Sequence, residues 1–451
     1  VDKNVPIQVS SMDNWLNVSA GQTHSIFLRS NGSIWSTGGN EYGELGIGNN
    51  INKNTPIQIG TDRHWISIVT QSYFNLGLKS DGTLWAWGWN GDGQLGDGTG
   101  TNRRSPIQVG NDDDWVSITA GSTHSMALKS NGTLWAWGQN YTGKLGIGSF
   151  AITTSPVQVG NEHNWVSISA GGEHSLGLKS DGTIWSWGYG PSGELGNGIY
   201  SFQTTPAQIG TDHDWVYVSA GGEYSLGLRA DGSFWAWGKN ENGLLGIGNY
   251  SNRIAPTQVG TDHNWLRILS GHLHSTAIKA DGSLWTWGDN NEGQLGDGTN
   301  IGKNSPVHIG TDVDWQYVAS GLFHMLALKP AGATICATGN NAFGQLGNST
   351  NVSQNIFLCG PGTGCNPPAA PVTGPNVSIC SGQTATLTAT GTGTLGWYSA
   401  ATGGVWLGAG SSFTTPTLNN NTIYYVQDST CAASLTRTAI GVTISVAIPP
   451  A

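Results

Sequence analysis

Charge is scarce in this chain. Only 10 % of its 451 residues are Asp, Glu, Lys or Arg, and 18 basic against 28 acidic residues leave a net charge of -10. The basic stripe that nucleic acid requires is missing, so no nucleic-acid partner is expected. Long apolar runs are missing too, so no transmembrane segment is expected. Cysteine is absent from the first 335 residues, and the five present are Cys336, Cys359, Cys365, Cys380 and Cys431. Their spacing contains no Cys-x-x-Cys pair, which argues against zinc. No secretory leader is visible at Val1, and a start at Val-Asp-Lys reads as a processed or trimmed chain.

What the chain has in excess is Gly, at 69, and Trp, at 21. Abundant Gly with little charge is compatible with disorder, but regularly spaced Trp supplies the burial that offsets chain entropy. The spacing is a repeat. Pro recurs at 6, 56, 106, 156, 206, 256 and 306, and Trp at 15, 65, 115, 165, 215, 265 and 315. The interval is 50 throughout, with a one-residue insertion near Ala333 in the last repeat. Such a period must be read before anything else.

Each repeat reads as four short strands, in the second Pro56–Ile59, Trp65–Val69, Asn75–Lys79 and Thr83–Trp87. Asp-Gly or Asn-Gly between the last two is a hairpin signal, expected to place both turn residues at positive φ. A Pro-bearing strand fits an outer edge. Four-stranded units repeated radially make a propeller. The pair Trp85/Trp87 recurs in four further repeats, and residues two apart share a face, so these pairs are expected to fill the space between blades. Thr37, Cys336 and Thr338 break the pattern in the first and last blades, where the ring is expected to close. Either Val5–Val9 or Asn355–Cys359 is expected to complete the closing blade.

The segment 170–188, Ala-Gly-Gly-Glu-His-Ser-Leu-Gly-Leu-Lys-Ser-Asp-Gly-Thr-Ile-Trp-Ser-Trp-Gly, followed by Gly-Glu-Leu-Gly-Asn-Gly at 193–198, resembles the regulator of chromosome condensation repeat. The resemblance runs from about Val1 to Cys359 and implies a seven-bladed β-propeller. Functions in that family range from guanine-nucleotide exchange to inhibition of a β-lactamase, so fold alone does not fix function. The unbroken 50-residue spacing leaves no room for the inserted wedge that exchange would require.

Asn366-Pro-Pro-Ala-Ala-Pro371 reads as a spacer. Beyond it, two Cys around Trp397 among Thr- and Val-rich strands suggest a β-sandwich. This module resembles the immunoglobulin-like modules of large secreted bacterial proteins, in which a type IX secretion sorting domain often follows. Pro449-Pro450-Ala451 reads as a further spacer cut short. The expected organisation is all-β: a propeller at 1–365, a linker at 366–375 and an immunoglobulin-like sandwich at 376–451. Cys380 is expected to pair with Cys431 and Cys359 with Cys365, leaving Cys336 a buried thiol, which points to an oxidising compartment.

Signals for chemistry are weak. His24, His124, His174, His274 and His324 recur at one repeat position, but Phe74 and Tyr224 occupy it in two blades, so packing and hydrogen bonding are expected there and no metal. The acidic residues before each Trp, such as Asp62, Asp112, Glu162, Asp212, Asp262 and Asp312, are expected to serve turn chemistry rather than catalysis or calcium binding. Gly91–Gly98 lacks the Lys and helix of a phosphate loop. No catalytic residue and no cofactor are expected.

The positions that change from blade to blade are more informative. They fall in the link after the fourth strand of each repeat and include Trp89, Tyr141, Phe150, Tyr189, Tyr200, Phe202 and Tyr250. Aromatic residues beside polar neighbours are common binding anchors. The expectation is a secreted or cell-surface interaction protein that binds a protein or glycan partner through this rim, in adhesion or surface colonisation. Type IX secretion components are further expected partners. A secreted enzyme inhibitor is the alternative, and a glycan-active enzyme stands behind both.

Overall fold

The computed structural model describes residues 15–329, 334–359, 371–391, 394–401, 406–429 and 437–445. These fall into two compact units, one of residues 15–359 and one of residues 371–445. Every element among them is a strand.

The first unit is seven four-stranded antiparallel sheets, each a simple meander. The first blade is built from Trp15–Ala20, His24–Arg29, Ile34–Gly38 and Lys53–Gln58. Five more blades follow at 50-residue intervals, and the seventh ends with Gln354–Cys359. The blade frame differs from the sequence expectation. The Pro-bearing strand closes the preceding blade instead of opening its own: Gln58 pairs with Trp35 and Ile57 with Ser36. The long loop at 39–52 turns the chain back beside its own third strand, while the short link at 59–64 steps to the next blade. Pro56 therefore lies on the outermost strand, where its missing N–H costs no ladder bond. Gln354–Cys359 completes the seventh blade; Val5–Val9 and Ala333 lie outside the described residues.

The hairpins also differ in detail. Gly82 has φ +79°, but Asp81 stays at negative φ. The Asp81 carboxylate accepts the backbone N–H and the hydroxyl of Thr83, at 3.1 and 2.6 Å. That hydroxyl in turn accepts the Trp85 indole N–H at 2.9 Å. The side chain holds the turn, so only glycine needs the left-handed region.

Blades are latched by the second Trp of each pair. Trp87, Trp137, Trp187, Trp237 and Trp287 are fully buried. The Trp187 indole donates to the Lys144 carbonyl in the preceding blade at 2.9 Å, and the other four make the same bond one blade apart. Gly196, at φ +66°, seats Trp237; a Cβ there would stand 2.7 Å from the indole nitrogen. At the closure Thr37 donates to the Gly344 carbonyl at 3.0 Å and Thr338 to that of Gly293 at 2.9 Å. The small hydroxyl replaces the indole as the hook, and the ring closes between the first and seventh blades.

The cysteine pairing expected from the sequence is overturned. Cys336 is not a free thiol and Cys359 does not pair with Cys365: Cys336 and Cys359 form a disulfide. The two stand opposite each other on the last two strands of the seventh blade. Cys365 and Cys431 lie outside the described residues. Cys380 is a free, exposed thiol at the end of an edge strand, so it does not point between sheets.

The second unit is a three-stranded sheet and a five-stranded sheet. Trp397, fully buried, stacks on Phe413 at 5.7 Å and donates to the Gly410 carbonyl at 2.9 Å. Val372–Thr373, within the segment read from sequence as linker, pairs with Thr386–Thr390.

Candidate interaction rim

Alternating strand direction divides the propeller loops between two rims. The acidic links and the Asp-Gly hairpins lie on one. There the carboxylates are tied down, and the pattern runs round the ring. Lys79 bonds Asp62 at 2.6 Å and sits 3.4 Å above the Trp85 ring and 5.0 Å from that of Trp65. Lys129 with Asp112, Lys179 with Glu162, Arg229 with Asp212, Lys279 with Asp262 and Lys329 with Asp312 repeat this arrangement. Each cation is desolvated between two indoles and a carboxylate, except Lys329, which has Trp315 alone because Cys336 stands where the second indole would be, so these acids act inside single blades.

The recurrent histidines are fully buried between the blades. His124 and His174 reach Ser175 and Ser225 of the next blade at 2.9 and 2.8 Å, and His24 reaches Asn75 at 2.7 Å. His324 closes the circle onto Ser25 at 2.9 Å. Tyr224 takes the same role through its phenol, which meets Ser275 at 3.0 Å. Burial pushes the imidazoles down, His24 to about 4 and His174, His274 and His324 to about 3. They are neutral wedges that stitch blades together. His274 is the exception: Met325 stands where its Ser partner would be, and neither ring nitrogen has a partner among the described residues.

The other rim carries seven loops of similar design. Asn40 shapes the first, accepting from Leu45 N–H at 2.9 Å and donating to the Asn49 and Ile51 carbonyls. Asn90, Asn240, Asn290 and Asn341 do likewise. In the fourth blade Gly190 takes this place. Glu44 and Glu194 cap the turns by accepting from Tyr42 and Ser192 N–H at 2.8 Å each. Burial pushes these acids up, to about 7 and about 8.

A second asparagine closes some of these loops. Asn300 donates to the Asn291 carbonyl and Asn351 to that of Ala342, both at 3.0 Å, and Asn50 bonds the Glu41 carbonyl. In the third, fourth and fifth blades that position is Phe150, Tyr200 and Tyr250, and these rings are 53 %, 62 % and 58 % exposed. Three consecutive blades thus give up a loop-closing amide for an exposed aromatic ring.

A family description, the RCC1-like domain, fits residues 102–356, more than half of the chain. The chain belongs to the RCC1-like domain family. Two descriptions of the regulator of chromosome condensation repeat match at 15–44 and 66–94 and at 31–77. An Ig-like domain, CHU_C associated, matches residues 368–445. Human WBSCR16 is 21 % identical over 72 % of this chain and 89 % of its own, with a TM-score of 0.66. Prp20p from Saccharomyces cerevisiae is 20 % identical over 77 % of this chain and 88 % of its own, also at 0.66. No curated protein matches. At this identity the likeness to these structures is one of fold.

On the RCC1-like propeller the expected rim residues sort into groups. Tyr141, Phe150, Tyr200, Phe202 and Tyr250 are exposed, and Phe202 meets Tyr189 edge-on at 5.4 Å. Trp89 stands apart from this arc. Its neighbours are Tyr42 and Tyr73, which the sequence reading missed. Their positions also change identity from blade to blade, which is the signal that would have found them.

Proposed function

We propose that this RCC1-like protein is a secreted or cell-surface interaction protein whose propeller holds a protein or glycan partner on the aromatic rim, in adhesion or surface colonisation. The observation that carries the reading is the exchange of a loop-closing asparagine for Phe150, Tyr200 and Tyr250 on neighbouring blades. A residue that leaves its structural bond unmade and exposes a ring contributes little to its own loop. Exposed aromatics on rigid loops are the usual anchors of interfaces.

A protein partner gains support from the fold relatives: Prp20p is described by its binding to Gsp1p and histones, and yeast RCC1 by its complex with Kap60. An extracytoplasmic setting is supported by the Cys336–Cys359 disulfide, since such bonds persist in oxidising compartments. In this reading the immunoglobulin-like module is spacer and anchor.

The test is capture of partners by wild type and by a Tyr200→Ala, Phe202→Ala, Tyr250→Ala variant, on a glycan array and from the native cell surface. One well-buried anchor typically carries ~2 kcal/mol or more of binding energy. The triple variant should lose capture and keep its unfolding temperature. Undiminished capture would refute the rim assignment.

A further inference from the structure

On the same rim, three half-buried rings meet between the first and second blades. Tyr42 lies edge-on to Tyr73 at 5.3 Å and 71°, and tilted to Trp89 at 6.4 Å and 51°. An edge-on contact covers at most one face of a ring and leaves its opposite face free of that partner. The Trp89 N–H of the backbone bonds the Tyr73 carbonyl at 2.9 Å, and its indole rests on Gly91, so the cluster is fixed in place.

Two features distinguish this junction from its counterparts. First, at four of the six other junctions the equivalent positions bond one another. Gln139 pairs with Thr123 at 3.2 Å, Glu223 with Ser192 at 3.2 Å and Lys239 at 3.0 Å, and Asn340 with Glu292 at 2.8 Å. The side chains of Tyr42, Tyr73 and Trp89 make no hydrogen bond among the described residues. Second, the cluster is bordered by acid. Glu41, exposed, precedes Tyr42 in the chain, and the Glu44 carboxylate accepts from the Tyr42 backbone N–H at 2.8 Å; burial and these neighbours push the Tyr73 phenol up.

We infer that Tyr42, Tyr73 and Trp89, with Glu41 at their margin, form a pocket for a lysine side chain of a partner protein. Aromatic faces attract a cation through the ring quadrupole. Two phenol oxygens without partners accept from an ammonium that has N–H groups to give, which a quaternary ammonium lacks. The exposed Glu41 carboxylate and the overall charge of -10 draw the same sign of ligand. The inference deepens the interaction reading above, on which it rests for the rim, and shares only Trp89 with its residues.

The test is calorimetric titration of the full chain with a lysine–glycine peptide, its Nε-acetylated form and its trimethyllysine form. Acetylation removes the charge and should weaken binding by about ten-fold or more. Trp89→Leu and Tyr42→Leu leave the net charge unchanged, and each should weaken the lysine peptide about five-fold. Trp89→Phe, which keeps a ring, should retain most of the binding and verifies that the site folds. Failure of the lysine peptide to bind, or equal binding by wild type and a folded Trp89→Leu, would overturn the pocket. Tighter binding of the trimethyllysine peptide would overturn lysine as its occupant. Phe150, Tyr200 and Tyr250 stay intact in these variants, so failure here is distinguishable from failure of the outer arc.

Discussion

Cys336 faces Cys359 across the last two strands of the seventh blade, at the place where Trp35 faces Gln58 in the first. The separation is 23 residues in both cases, and only in the seventh blade is the pair covalent. In the other six blades the large indole covers this part of the outer strand. Two small cysteines cannot, and the bond holds the strand that completes the ring.

Reduction should therefore loosen the closing blade. A loop of this length contributes about 3 kcal/mol through the unfolded state. A Cys336→Ala, Cys359→Ala variant should lose roughly that much in denaturant unfolding, and wild type should match it once reduced. Peptide mapping without reductant should recover Cys336 linked to Cys359. Recovery of Cys359 linked to Cys365 would contradict the assignment.

The buried imidazoles make the propeller sensitive to acid. Their folded values lie below the ordinary 6.5, so between about 6.5 and 3 the unfolded chain binds protons that the folded chain refuses. Their contribution is complete above 6.5 and is lost as pH falls toward 3. Glu44 and Glu194, raised to about 7 and about 8, act in the opposite sense, losing stability as pH rises from 4.5. His274 isolates one imidazole, because no hydrogen bond is lost with it. Phe74 shows that the site accepts a phenyl ring. His274→Phe should gain up to about 2 kcal/mol more at pH 5 than at pH 7.5, as about 1.4 kcal/mol per pH unit requires. Equal gains at both values would show that His274 is not held neutral.

On the acidic rim, cation and carboxylate should differ in weight. Lys279 lies almost wholly buried between Trp265 and Trp285, whereas Asp262 is half exposed. Asp262→Asn should cost no more than about 1 kcal/mol, less in high salt. Lys279→Ala removes the packed stem as well and should cost more. A larger loss from Asp262→Asn in thermal unfolding would restore a special role to these acids.

Much of this was open to reading in the sequence, for a physical reason. Trp15, Trp65 and their equivalents recur because every blade offers its neighbour the same cavity. Which blade owns the Pro56 strand depends on the path of the 39–52 loop, and no local pattern records that path. The disulfide was visible in principle, since Cys336 and Cys359 keep the 23-residue spacing of Trp35 and Gln58. Cys359 was read instead beside its near neighbour Cys365. At the rim, Tyr200 and Tyr250 were visible as variable aromatics. That they replace a bonded asparagine is recorded only in the folded loops, where Asn300 and Asn351 donate to the Asn291 and Ala342 carbonyls.

The central claim is that the aromatic rim, not the acidic one, meets the partner. A photoreactive benzoylphenylalanine in place of Tyr200, and separately in place of His213 on the opposite rim, tests it on intact cells that make the protein. The account predicts a covalent adduct from position 200 that is suppressed by excess unlabelled wild-type protein, and none from position 213. An adduct from position 213 alone would contradict it.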